Sequence, residues 1–289
     1  MSERDEAWVA NVSAWASAQA DIKALVQIGS RVKNDGTADK WSDFDYQLIT
    51  TNPARYKSGE FARELGKCWA IGLEHTFGDV TKVTAVFDGA LEADFIILRH
   101  SDLVIATTAL GWPRAKVLWP RPLRIGISRL RGAAGTGWKI IKGGAAWEKR
   151  YSRLTPCEFP MTEEEFAALC GEFWVQAVWA AKRAMRGELI ASQRTIHRYV
   201  IEGCLRMFEE EVILAGGKAY PRGRRAEIWL TESQERVANA GTTPERESLL
   251  ETLSHLSREF SRSSEAVGRQ RGWPDVDRTE VRGWITSLS

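Results

Sequence analysis

The stretch "QIGSRVKNDGTADKWSDFDYQLIT", residues 27–50, joins two apolar runs through a polar segment. The first run ends on Gly29 and Ser30, and the second begins with Asp43 and Asp45, which are two positions apart. Side chains at that spacing on a β-strand point to the same side. Two carboxylates on one side repel each other, so the pattern indicates that a cation normally lies between them.

The surrounding sequence predicts a small mixed sheet with helices on one face. Trp8, Val12 and Trp15 follow helical spacing, as expected for an amphipathic helix. Asp88-Gly89 separates two β-rich runs, which is a strong hairpin signal. In chain order, we predict a helix over residues 4–19, strands over 22–28 and 43–50, a helix over 58–77 and a hairpin turning at 88–89.

The second half of the chain is predicted to be helical. Thr162 and Glu165 form a capping-box pattern that begins a helix over residues 163–186. Further helices are expected over 188–214 and 245–263. Residues 110–146 are interpreted as an added edge strand or a mobile loop, and 110–137 within them looks like an insertion. We therefore predict an α+β protein with two domains. Residues 1–150 form the sheet domain, and residues 151–289 form an α-helical bundle domain.

Composition narrows the class of protein. The 289 residues are 44% hydrophobic and carry a formal net charge of +2, which does not favour a nucleic-acid or membrane partner. The basic cluster at 121–131 lacks aromatic interleaving and is interpreted as a loop surface. The four cysteines have no metal-ligand spacing, and no leader or membrane span is apparent. These features favour a cytoplasmic protein and do not predict its oligomeric state.

A third carboxylate joins the pair if the strands are neighbours. Asp94 lies in the second strand of the predicted hairpin, on the same face as Glu92. Three converging carboxylates suit Mg²⁺, and two such ions can assist an in-line phosphoryl or nucleotidyl transfer. Gly29 and Ser30 fit the same site, because a glycine lets backbone N–H groups approach a phosphate and the hydroxyl adds a donor.

Together these motifs resemble the DNA polymerase β-like nucleotidyltransferase superfamily. The set consists of Gly29-Ser30, the Asp43-Phe44-Asp45 triplet and Asp94. The closest resemblance is to the aminoglycoside 6-adenylyltransferases, the streptomycin-modifying group, over roughly residues 20–100 and 160–230. The segments that carry it are "GSR" (29–31), "WSDFDYQLIT" (41–50), "FDGALEADFIIL" (87–98), "EFWVQAVWAAKRAMRGEL" (172–189) and "LRMF" (205–208).

The resemblance implies a polymerase β-like sheet domain, a helical domain, and transfer of AMP from Mg-ATP to a hydroxyl of a small polar acceptor such as an aminoglycoside. Pyrophosphate would be released. It implies that Asp43, Asp45 and Asp94 bind two Mg²⁺ ions. Glu92, which shares a face with Asp94, is a candidate for the base that acts on the acceptor hydroxyl, and Glu172 and Glu188 are rivals for that role. Residues implied in substrate binding are Gly29, Ser30, Arg31 and Lys182 for the nucleotide and Glu172, Trp174 and Glu188 for the acceptor.

Two alternatives remain open from the sequence. An enzyme acting on RNA ends, or on another small molecule, would share the three aspartates, although RNA would call for a basic track. A non-catalytic nucleotide-binding or antitoxin-type module would keep the fold and lose a carboxylate, and all three carboxylates are present here. The sequence also departs from the streptomycin-modifying group at the 110–137 insertion, which leaves the acceptor undetermined.

Overall fold

The chain divides into two compact units, Met1–Phe159 and Pro160–Ser289. We describe a computed structural model that covers residues 3–33, 38–76, 78–112, 118–155, 161–220, 223–274 and 278–288. The predicted domain boundary at residue 150 lies inside a helix, and the division falls after Phe159. Within the described ranges, no helix is long and apolar enough to cross a membrane.

A six-stranded mixed sheet organises the N-terminal unit. Its strands are β1 (Ile22–Ile28), β2 (Phe44–Thr50), β3 (Cys68–His75), β4 (Thr81–Phe87), β5 (Leu91–Arg99) and β6 (Lys139–Lys142). Their order across the sheet is β3-β4-β5-β2-β1-β6. Among the strand pairs of the described residues, β2 and β5 are parallel and the other neighbours are antiparallel. Together with the helical second unit described below, this sheet confirms the α+β prediction.

Helices cover both faces of the sheet, so the prediction of helices on one face was wrong. Helix α1 (Glu3–Ala18) packs on one face. The helices α2 (His100–Ala109), α3 (Arg121–Ala134) and α4 (Gly144–Tyr151) pack on the other. The sequence "IKALVQI" of β1 is nearly continuously buried, as expected for a central strand with two covered faces.

Residues 58–77 are not the predicted helix. A short 3-10 helix spans Glu60–Glu64, and β3 follows it as an edge strand paired with β4; residue 77 lies outside the described residues. Gly59 and Gly66, which flank the 3-10 helix, both have positive φ, and such conformations interrupt an α-helix. Pairing with β4 therefore prevails over the helical periodicity of this stretch.

The 110–137 segment is largely helical. Helix α3 contains the basic cluster at 121–131, which we had interpreted as a loop, and it buries Ile127, Leu130 and Ala134 against the sheet. Its arginines alternate with apolar residues at helical spacing, so one face is buried and the other is charged. An edge strand does occur nearby, as β6, while residues 113–117 lie outside the described part of the chain.

The C-terminal unit is helical, as predicted. Its helices are α5 (Glu163–Met185), α6 (Leu189–Thr195), α7 (Ile201–Leu214), α8 (Glu232–Ala238), α9 (Arg246–Arg271) and α10 (Thr279–Thr286). The capping box of Thr162 and Glu165 is present at the start of α5. A π-helical turn, Ile196–Val200, joins α6 to α7 in the predicted 188–214 helix. Helix α9 extends beyond the predicted end at residue 263.

One buried hydrogen bond ties α4 to the middle of the sheet. The Tyr151 hydroxyl donates to Gln47 Oε1 at 2.5 Å, and both side chains are buried. Tyr151→Phe leaves that oxygen without its donor, so we expect the free energy of unfolding of this unit to fall by about 1–3 kcal/mol. Urea unfolding followed by tryptophan fluorescence measures this change.

The control for this variant is Tyr199→Phe, because Tyr199 is exposed on the π-helical turn; its effect should stay within about 0.5 kcal/mol. The double variant Tyr151→Phe/Gln47→Leu should recover part of the loss, since neither polar group then remains. Equal stability of Tyr151→Phe and the parent protein would contradict this role.

Candidate active site

Three aspartates meet where β2 and β5 begin. The parallel register places Asp45 directly beside Asp94, and Asp43 immediately precedes β2. One carboxylate oxygen from each of the three lies within 4.8 Å of the others. Asp94 is buried, while Asp43 and Asp45 are half-buried. Strand pairing thus brings together the three residues that the sequence indicated, within one unit of the chain.

Gly29 holds the end of β1 against this cluster. Its φ of 81° and ψ of −162° fall in a region that is essentially restricted to glycine. A Cβ atom at this position would lie 2.0 Å from Asp45 Oδ2, a distance that no side chain tolerates. The main chain at Gly29 therefore touches the Asp45 carboxylate, and the glycine is required both by conformation and by space.

Ser30 supplies a polar group with no partner. Its Oγ is buried, and it makes no hydrogen bond in the structure. Buried hydroxyls are nearly always paired, so a lone one beside the aspartates is suited to a bound polar ligand. The oxygen-only donor set of the three aspartates is also the kind that Mg²⁺ prefers. These features fit a metal-bound phosphate group.

Asp94 is held by two side chains of β4. Thr84 Oγ1 donates to Asp94 Oδ1 at 2.5 Å, and Lys82 Nζ lies 2.5 Å from Asp94 Oδ2. Burial lowers the pKa of Lys82, but its hydrogen bond and attraction to Asp94, together with the charge of Asp45, outweigh burial, so the net pKa is raised. Sequence reasoning missed both residues, although the hairpin that contains Asp94 also contains them.

Arg31 braces the backbone that carries Asp43. Its guanidinium donates to the carbonyl oxygens of Ser42 and Asp43 at 2.6–3.1 Å, and it pairs with Asp5 at 3.1 Å. It also stacks over the Phe44 ring, 4.0 Å from the centroid. These contacts give Arg31 a positioning role, and its contact with a nucleotide stays a prediction.

Glu92 lies close to the three aspartates and is exposed. Burial raises its pKa, and the negative charges of Asp94 and Asp43 raise it further against the opposing effect of Lys82. A raised pKa makes a carboxylate a better proton acceptor. Glu92 also lines a groove with Arg4 and other residues of the N-terminal unit.

The remaining predicted residues belong to the C-terminal unit. Glu172 and Lys182 are exposed on α5, and Glu188 is exposed at the start of α6, near Arg186. Trp174 instead points into the core of this unit, where its ring packs against Phe173 and Phe260. The nucleotide-binding role of Lys182 and the acceptor-binding roles of Glu172, Trp174 and Glu188 stay predictions.

Comparison with known proteins gives similarity at the level of structure. No family model and no curated protein matches this chain. It is similar to an aminoglycoside 6-adenyltransferase from Bacillus subtilis, with 12% identity, coverage of 100% of this chain and 98% of that chain, and a TM-score of 0.44. It is also similar to a nucleotidyltransferase-like protein from Exiguobacterium sibiricum, with 10% identity, 93% and 78% coverage, and a TM-score of 0.38.

Replacement of Gly29 tests the contact between the main chain and Asp45. We expect Gly29→Ala to strain the backbone, at a cost on the order of 1–3 kcal/mol, and to push the Asp45 carboxylate out of the cluster. The variant should therefore melt at a lower temperature and lose most of its Mn²⁺ binding, as measured by thermal unfolding and by electron paramagnetic resonance of unbound Mn²⁺.

Gly78→Ala is the matched control. Gly78 also has positive φ, at 63°, but a Cβ atom there would meet nothing within 4 Å. This variant should show a backbone cost of about 1 kcal/mol and unchanged Mn²⁺ binding. If both variants bind Mn²⁺ equally well, the close approach of Gly29 to Asp45 has no functional consequence.

Proposed function

We propose that this protein is a nucleotidyltransferase that transfers AMP from ATP to a hydroxyl group of a small polar acceptor. The observation that carries the proposal is the convergence of Asp43, Asp45 and Asp94 beside Gly29 and Ser30. Repulsion among three close carboxylates is unfavourable unless cations offset it. An in-line displacement at a triphosphate requires cations that neutralise these negative charges.

The three aspartates Asp43, Asp45 and Asp94 would hold two Mg²⁺ ions. When bound, these ions stabilise the charge that develops on the attacking and leaving oxygens. Ser30 Oγ donates to the β- or γ-phosphate, and the lack of a side chain at Gly29 lets backbone N–H groups approach the same phosphates. Arg31 keeps Asp43 in place through the backbone carbonyl groups that it binds.

The reaction forms one bond and breaks one bond. The acceptor hydroxyl oxygen attacks the α-phosphorus, and the bond from that phosphorus to the oxygen bridging the β-phosphate breaks, which releases pyrophosphate. We assign the hydroxyl proton to Glu92, because this carboxylate lies beside Asp94 and has a raised pKa. A general base must come within hydrogen-bond reach of the proton that it removes, and the exposure of Glu92 permits this.

We assign the C-terminal unit a role in substrate selection. The resemblance implies a nucleotide-binding role for Lys182 and acceptor-binding roles for Glu172 and Glu188, and we keep these roles as part of the proposal. An aminoglycoside is the acceptor class proposed, because it carries both several ammonium groups and free hydroxyls. Trp174 is buried on the opposite side of α5 from Glu172. Trp174 packs in the core of the C-terminal unit. We therefore propose no direct contact between Trp174 and the acceptor.

Pyrophosphate release from Mg-ATP, measured across a panel of aminoglycosides and other small hydroxylated acceptors, tests the proposed function. Release should require both an acceptor and a divalent ion. ATP binding, measured by calorimetry, should weaken strongly in excess chelator, because the triphosphate and the aspartates repel each other without a cation. Equally tight ATP binding in chelator would show that no metal bridge forms.

Asp43→Asn separates catalysis from folding. The change preserves volume and removes one charge, so we expect turnover to fall by at least about 100-fold, because the ions that stabilise the transition state lose a ligand. The melting temperature without metal should stay unchanged or rise, since one source of repulsion is gone. An Asp43→Asn enzyme with parental turnover would refute the metal site.

Asp102→Asn provides the matched control, because Asp102 is exposed on α2 and should tolerate the change in both measurements. Asp94→Asn is a less clean test of chemistry. Asp94 is buried and paired with Lys82, so its loss should lower turnover and metal-free stability together. The contrast between Asp43 and Asp94 in melting temperature distinguishes the two aspartates.

A further inference from the structure

The ammonium group of Lys82 contacts Oδ2 of Asp94, one of the three carboxylates that converge at the candidate metal site. We propose that Lys82 is a positioning residue that holds the Asp94 carboxylate in the metal-free protein and competes with the divalent ion for it. The inference rests on the proposed nucleotidyltransferase function. It adds a residue on β4 that regulates metal binding, to which neither the motifs nor the comparisons assign a role.

The contacts of Asp94 explain why Lys82 competes with a metal. Both carboxylate oxygens are already engaged, Oδ1 by Thr84 and Oδ2 by Lys82. Only 3% of the Asp94 side chain is exposed, compared with 30% of the Lys82 side chain. A metal ion at Oδ2 would therefore lie beside the ammonium group, and the two positive charges would repel each other. Since Lys82 retains solvent access, it has room to move away while Asp94 stays in place.

The charges at the site point to the same competition. The three aspartates and the neighbouring Glu92 carry four negative charges, and Lys82 contributes one positive charge, which leaves three negative charges. One divalent ion offsets most of that remainder, so a second ion meets a cluster with little negative charge left. A triphosphate brings further negative charge, which both attracts more cations and offers Lys82 another anionic partner. Lys82 thereby makes full metal loading depend on the nucleotide.

An ordinary surface ion pair does not account for this arrangement. Exposed lysine–carboxylate pairs contribute little to stability, and Lys67 with Asp88 is such a pair, at 3.8 Å with both side chains mostly exposed. Lys82 instead contacts a buried carboxylate that lies among two others. Removal of its charge leaves Asp94 buried without a compensating cation, a state that a metal ion can relieve.

The experiment compares Mn²⁺ binding to nucleotide-free protein by electron paramagnetic resonance of unbound Mn²⁺. We expect Lys82→Met to bind Mn²⁺ at least about tenfold more tightly than the parent, because a nearby like charge has been removed. Lys82→Arg keeps the charge and should bind within threefold of the parent, on the order expected for an altered contact geometry. Lys67→Met, the matched control, should bind as the parent does.

Thermal unfolding provides a second readout that a purely structural ion pair would not move. In chelator, Lys82→Met should melt below the parent protein, and saturating Mn²⁺ should close most of that gap. A deficit that is equal with and without Mn²⁺ would mean that Lys82 only stabilises the fold, and the inference would be wrong. Lys82→Gln, which removes the charge but keeps a donor for Asp94, replaces the methionine variant if that one does not fold.

The outcomes separate this inference from the proposed function. If the parent protein binds Mn²⁺ and neither Lys82→Met nor Lys82→Gln binds it more tightly than Lys67→Met does, the role of Lys82 is refuted while the metal site stands. If no variant binds Mn²⁺, even with ATP present, the metal site itself is refuted and the role of Lys82 with it. Tighter binding by the charge-removing variants alone supports the inference.

Discussion

The parallel pairing of β2 with β5 is the constraint on which the candidate site depends. It sets Asp45 beside Asp94 and leaves the protein to offset the repulsion between them. The structure does so with the protein's own groups, because Thr84 and Lys82 bind Asp94 while the main chain at Gly29 packs against Asp45. A carboxylate cluster of this kind is stable only while cations are near it, so folding and ligand binding are linked at this position.

The core explains why the cluster forms at one end of the sheet. Along β2, Asp45 is the one position that is not fully buried, since helices cover the rest of the strand on both faces. Tyr151 of α4 reaches Gln47, two residues beyond Asp45, through a buried hydrogen bond. Gln47 and Asp45 therefore lie on the same face of β2. Gln47 is hydrogen-bonded to Tyr151, whereas Asp45 belongs to the aspartate cluster.

Much of this arrangement was predictable from local patterns, and the misses have identifiable causes. A continuous apolar run located β1, alternation located β2, Asp88-Gly89 located the hairpin and the capping box located α5. The aspartate spacing indicated the cluster. The helix predicted over 58–77 was wrong, because pairing with β4 outweighs the helical periodicity of this stretch at the edge of the sheet. The acceptor-binding role of Trp174 stays a prediction, although helical spacing places this residue on the apolar side of α5 with Phe173 and Ala177, away from Glu172.

The contacts of Lys82 could also have been derived, because the apolar pattern fixes the hairpin register. With a two-residue turn at Asp88-Gly89, each residue of β4 that belongs to the core pattern would lie opposite a residue of β5 outside that pattern. Core and polar side chains would then share one face of the hairpin. A turn with one more residue aligns the core positions, as observed in the pairs Val83–Phe95, Ala85–Ala93 and Phe87–Leu91. Ala90 accordingly takes the left-handed conformation, with φ of 58°. That register leaves Thr84 opposite Asp94 and Lys82 one pair further along the same face, so core packing determines which cation meets the third aspartate.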